Sequence, residues 1–86
     1  MPTILRSSGN IEELKLEEVT IERLQKEVAG YVERLIVADV NKVLYVNDEA
    51  ALTGLPYNSD ASRIMGMTLR GDAVFMSKEE DNEWRR

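Results

Sequence analysis

A nine-residue amphipathic stretch, IERLQKEVA, stands between Thr20 and Gly30 and runs straight into two β-rich segments, YVERLIVA and VLYVN, with only DVNK between them. No other feature narrows the fold so far. Ile21, Leu24 and Val28 fall at i, i+3 and i+7 and predict one buried helical stripe, with Glu22, Arg23, Lys26 and Glu27 turned to water. Thr20 suits the N-cap, Glu22 favours the positive end of the helix dipole, and Gly30 offers a left-handed residue to close the helix. Tyr31 to Ala38 and Val43 to Asn47 then read as a central antiparallel hairpin turning over Asp39 to Lys42. Ile36, Leu44 and Val46 are its core candidates. A single-striped helix must bury that stripe against something flat, so the pair predicts an α+β chain.

The flanking segments fit that frame. TILRS, Thr3 to Ser7, has the branched character of a strand, and Ser8-Gly9-Asn10 is turn chemistry. IEELKLEEV has two readings: Leu14, Ile21 and Val28 fall seven apart and suit one helix from about residue 11 to 29, while the alternation of Leu14 and Leu16 with polar neighbours favours a strand over Leu14 to Val19, ending where Thr20 starts the helix. DEAAL predicts one helical turn capped by Asn47 or Asp48 and stopped by Gly54. Leu55 before Pro56 must be extended. Asn58 or Ser59 then caps a short helix, Asp60 to Met65, that buries Ala61, Ile64 and Met65 and ends at Gly66. MTLRGDAVFMS supplies one strand interrupted at Gly71, or two short ones, with Gly71 marking a bulge or a close backbone approach. The expected architecture is a small single α+β domain over residues 1–78. It has about five mostly antiparallel strands, a main helix at about 21–29 and a short one at about 60–65. Residues 79–86 are expected to form an acidic tail, frayed or weakly helical.

Composition limits the chemistry. The 86 residues contain neither cysteine nor histidine, which removes disulfides, thiolate nucleophiles, histidine-based acid–base catalysis and the usual zinc ligands. No enzyme activity, metal or cofactor is expected. A net charge of −5 repels phosphate polyanions, so direct nucleic-acid binding is disfavoured and basic partners are favoured. No apolar run approaches the ~20 residues of a bilayer span, and MPTILRSSGN lacks a secretory apolar core; a cytoplasmic protein without membrane association is expected. Small sheets leave edges to protect, which makes a homo-oligomer plausible.

The segment between Gly54 and Gly66 carries the densest set of candidate binding residues. Tyr57, set between a proline and an asparagine, is the aromatic expected to be exposed, as a stacking or hot-spot position would be. Pro56, Asn58, Ser59, Ser62 and Arg63 surround it in sequence, and Asp72 follows Gly71 downstream. Read as a nucleotide-like ligand site, Asn58, Ser59 and Ser62 would donate hydrogen bonds, Arg63 or Arg70 would neutralise charge and Tyr57 would stack. Read plainly, the same residues are a cap, a helical turn and a glycine stop. Arg70-Gly71-Asp72 has the form of an adhesion tripeptide, a signal that acts outside cells.

Three blocks, LQKEVAGYVERL (Leu24 to Leu35), ALTGLPYNSDAS (Ala51 to Ser62) and GDAVF (Gly71 to Phe75), resemble a family of small proteins of unknown function. That family is found mainly in bacteriophages, prophages and conjugative elements of bacteria, with LQxxVxGYIE, GxPxNxxAS and GDA patterns. The resemblance spans Ile21 to Phe75 and places two strands before the helix. Matching positions are Tyr31, Pro56, Asn58, Ala61, Ser62, Gly71 and Asp72. The family often carries glycine where Ala29 stands here, and a more glycine-rich turn in place of DEAALTG. The family brings no established activity and implies a setting, a small accessory protein of a phage or mobile element working inside a bacterium; taken with the small size, the missing catalytic residues and the acidic surface, the expected action is binding a host or phage protein. The alternative is a protein that sequesters a small molecule or nucleotide.

Overall fold

The computed structural model describes residues 1–37 and 40–86, so part of the turn expected over Asp39 to Lys42, and Ala38 before it, lie outside the described residues. Five strands, β1 (Thr3–Leu5), β2 (Ile11–Glu13), β3 (Val32–Val37), β4 (Lys42–Asn47) and β5 (Ala73–Ser77), form one sheet in the order β2-β1-β5-β4-β3, with every pairing antiparallel. The helices are α1 (Ile21–Val28), α2 (Ala50–Thr53), α3 (Ser59–Met65) and α4 (Lys78–Trp84), with a 3-10 turn at Leu16–Glu18. The α+β class and the antiparallel sheet are as expected. α1 and α3 are the main and short helices expected, α2 is the helical turn read in DEAAL, and α4 stands where a frayed or weakly helical tail was expected. No helix among the described residues is long and apolar enough to cross a membrane.

Strand alternation splits the core across the two faces of the sheet. One cluster joins Ile4, Val43, Tyr45, Val74 and Met76 to Leu24 of α1, with Trp84 of α4 packed against it. The other joins Leu5, Leu44, Val46 and Ala73 to Ala61 of α3 and to Leu69. β3 and β2 are the two outer edges.

Several local expectations shift. The strand foreseen at Leu14 to Val19 lies earlier: Arg6 N–H donates to Asn10 O at 2.9 Å and Gly9 N–H to Arg6 O at 3.0 Å, so the turn is tight and pairing begins at Ile11. Leu14 and Val19 are buried, but the residues between them follow a 3-10 turn in which Glu18 Oε1 accepts from Lys15 N–H at 3.1 Å. In α1, Thr20 caps as expected, accepting from Arg23 N–H at 3.0 Å. Leu24 and Val28 are buried, while Ile21 remains substantially exposed at the open first turn. The helix is closed not by Gly30 but by Ala29, at φ 63° and ψ 41°. Gly30 serves a different need: a Cβ there would lie 2.7 Å from Asn47 Nδ2. Asn47 does not cap α2, whose N-cap is Glu49. It accepts from Glu49 N–H at 2.7 Å and donates to Val28 O and Ala29 O at 3.0 and 3.1 Å, tying the end of α1 to β4.

Of the hairpin's core candidates, Leu44 and Val46 are buried, but Ile36, on the outer strand β3, is 49 % exposed. The C-terminal stretch expected to be frayed or weakly helical is the helix α4. Ser77 and Glu80 form a reciprocal capping box, and Asp81 is fully buried. Trp84 meets Tyr45 edge-to-face, with ring centroids 5.8 Å apart.

Candidate functional site

The chain between Gly54 and Gly66 turns a corner over the sheet face that α3 covers. Gly54 (φ 68°) ends α2 and Gly66 (φ 71°) ends α3, both left-handed as C-terminal stops require. Between them Asn58 is completely buried and spends its whole side chain on backbone. Nδ2 donates to Leu5 O and Gly71 O, each at 2.8 Å, and Oδ1 accepts from Ala61 N–H at 3.0 Å as the α3 cap. Ser62, also buried, accepts from Leu69 N–H at 2.8 Å and donates to Leu69 O at 3.2 Å. These two residues hold the corner together and have no hydrogen-bonding group left to offer, so their polar atoms do not face outward as expected.

Pro56 and Asp72 belong to another part of the surface, lining a small hollow that also includes Glu27 and Leu55. Pro56 O accepts from Gly71 N–H at 2.7 Å. Gly71, at φ 82°, is the close approach the sequence suggested, since a Cβ there would lie 2.8 Å from Leu55 Cδ1. Asp72 accepts from Ser7 N–H at 2.8 Å and from Arg6 Nη1 at 3.0 Å. Arg6 in turn reaches Glu12 with Nε at 2.9 Å and Glu27 with Nη2 at 2.9 Å. The hydrogen bond to Glu12, with those to Asp72 and Glu27, pushes the Arg6 guanidinium well above its ordinary pKa against the opposing effect of burial, and Arg6 holds the Glu12 carboxyl low. Asp72 is thus a joint between the β1 end and the strand leading to β5.

What remains at the surface is Tyr57, Ser59 and Arg63. Tyr57 is 51 % exposed, yet its backbone is fixed by an antiparallel bridge to Arg70. With Met67 (54 % exposed) and Thr68 these residues line an open depression of about 420 Å³. A second depression, of about 320 Å³, has buried Val46, Ala50 and Leu69 in its lining and Glu33, Asp48 and Arg70 beside them. Thr68 lines both, so the two are neighbouring parts of one surface. Sequence reasoning missed Met67 and Thr68, which follow the Gly66 stop and carry no pattern of their own. Arg70 was legible as a cation beside the Tyr57 segment, though not as its backbone partner.

A second set of perturbed side chains, besides the one around Arg6, lies at α4. Burial works against the charge of Asp81, but hydrogen bonds from Arg34, Tyr45 and Arg85 outweigh it and hold the carboxyl below its usual range. Burial, then the bond to Asp81, pushes the Tyr45 phenol up to about 12. Asp81 raises the Arg34 guanidinium. All of these groups are spent on one another, which marks them as a fastening rather than a reactive set. The readable signal was Ser77-Lys78-Glu79-Glu80, a capping-box spacing across the start of the expected tail.

Fold and site together define a small α+β domain with a capped, hydrogen-bonded corner that presents one aromatic side chain beside shallow depressions. Residues 2–85 match the family model described as a domain of unknown function (DUF3846), and the chain belongs to that family. No curated protein and no solved structure matches the chain.

Proposed function

We propose that this chain is a small non-enzymatic accessory protein of a phage or other mobile element, acting in the bacterial cytoplasm by binding a host or phage protein. The contact surface is the corner centred on Tyr57, with Met67, Thr68, Arg63 and Arg70 around it. The observation that carries the reading is the contrast between two consecutive residues: Asn58 is wholly consumed in holding the corner, while Tyr57 beside it projects half-exposed from a backbone pinned to Arg70. An aromatic residue whose backbone is fixed in advance of binding loses less entropy on contact than one on a loose loop, and a tyrosine with two χ angles suits a protein hot spot. The shallow, open form of the depressions suits a protein surface better than an enclosed small ligand. A nucleotide site loses support, because the donors of Asn58 and Ser62 are occupied.

Affinity capture from bacterial lysate tests this when wild type is run beside Tyr57→Ala and Met67→Ala. A protein enriched by wild type and depleted by both variants, all three retaining the same circular dichroism, is the expected result. Identical captured sets from wild type and variants would remove the corner from consideration.

A further inference from the structure

We propose that the outer edge of β3 pairs with the β3 edge of a second copy of the chain about a two-fold axis at Leu35, joining the two five-stranded sheets into one. This goes beyond the partner-binding corner and does not depend on it.

The two edges of the sheet are not alike. β2 is three residues long and carries Glu12 and Glu13, the short and charged form in which proteins blunt an edge. β3 is six residues long, VERLIV, with three consecutive apolar residues and neither proline nor lysine. Along its margin Tyr31, Ile36 and Val40 are 70, 49 and 54 % exposed, whereas β2 itself exposes one apolar side chain, Ile11. An edge of that length leaves a row of backbone donors and acceptors open to another strand.

The strand's own charges select the occupant and the register. Opposed residues of an antiparallel pair share a face, so a two-fold normal to the sheet must fall on a residue. Placed at Glu33 or Arg34, it would set like charges directly opposite. Placed at Ile36, it would pair only Leu35 to Val37. At Leu35 it pairs the five residues Glu33 to Val37, with Arg34 opposite the partner's Ile36 and no like charges opposed. Val37 is paired in turn with Lys42. Glu33 therefore falls in the same cross-sheet row as the partner's Lys42, on the same face and about two strand spacings, ~10 Å, away. A glutamate and a lysine side chain can span that gap once the Lys42 ammonium, which in the single chain lies 5.9 Å from the Phe75 ring centroid, turns toward β3, and symmetry makes the contact twice.

The absence of native cysteine makes the test direct. Light scattering is expected to give the mass of two chains, and Ile36→Lys, on an exposed position that leaves the fold intact by circular dichroism, to weaken self-association at least ~10-fold. Ile11→Lys on the opposite edge is expected to leave it unchanged. Under mild oxidation the Leu35→Cys chain is expected to form a disulfide dimer faster than Ile11→Cys, because residues on the axis lie within disulfide reach. A monomeric mass at about 100 µM, a range in which specific interfaces normally hold, would overturn the proposal. So would an unaltered dimer in Ile36→Lys, or faster crosslinking through Ile11→Cys.

Discussion

Arg34 of β3 grips Asp81 of α4 from 47 residues away, donating to Oδ2 from Nε at 2.9 Å and from Nη2 at 2.6 Å. Tyr45 donates to the other carboxylate oxygen, joined there by Trp84 Nε1 at 3.2 Å, and Arg85 adds a contact to Oδ2 at 3.1 Å. A carboxylate with no solvent exposure is tolerated because every one of its lone pairs is engaged.

Asp81→Asn turns an acceptor into a donor facing two guanidinium groups and a phenol. Breaking a buried ion pair costs about 3 kcal/mol or more, which urea unfolding at pH 7 will read. The Asp81 carboxyl is held low in the folded state, so its stabilisation is complete above the unfolded value of about 3.9 and is lost as pH falls through the folded value. The urea midpoint of wild type should therefore fall below about pH 4 more steeply than that of Asp81→Asn.

Tyr45→Phe keeps the edge-to-face contact with Trp84 but removes the hydroxyl that Asp81 accepts. A hydrogen bond to a charged group is worth about 1.5–3 kcal/mol, and the loss should fall in that range. Ultraviolet titration of the wild type should show one tyrosine ionising near the value of about 12 to which burial and Asp81 push it. That phenol is absent from the titration of the variant. Because the folded value is raised, the contribution is intact below pH 10 and disappears as pH climbs through 12.

Ala29→Gly should stabilise. Ala29 is exposed and left-handed at φ 63°, a conformation that costs a side-chain-bearing residue about 1 kcal/mol and glycine nothing. The expected gain is about 1 kcal/mol, or a rise of roughly 5 °C in Tm for a domain this small. A lowered Tm would show that the closing turn of α1 is governed by something other than its φ.

Asn58→Ala and Tyr57→Ala should separate folding from binding. The first strips partners from two buried carbonyls and a helix N–H and is expected to cost about 3 kcal/mol in thermal or urea unfolding. The second removes a half-exposed ring and is expected to cost under about 1 kcal/mol while abolishing partner capture. Equal losses of stability would mean that Tyr57 is part of the core support.

Features carried by a few neighbouring residues were legible in the chain itself. Thr20 and Asn58 as caps, Gly54 and Gly66 as stops, the close approach at Gly71 and the β3–β4 hairpin all follow from φ preferences, local hydrogen bonds and hydrophobic period. The 3-10 turn after Leu14 was not, because its leucine alternation matches a strand equally well until Leu14 and Val19 are seen beneath the same sheet. Only the tertiary structure decided which polar side chains are free. Asn58 is consumed by Leu5 and Gly71, and Asp81 by Arg34, partners that chain spacing does not announce. It also decided that Ile36 lies open, because strand order rather than residue type makes β3 an edge. Local chemistry sets conformation within a turn or two of chain, whereas burial and hydrogen-bond satisfaction depend on which distant segments the fold brings alongside.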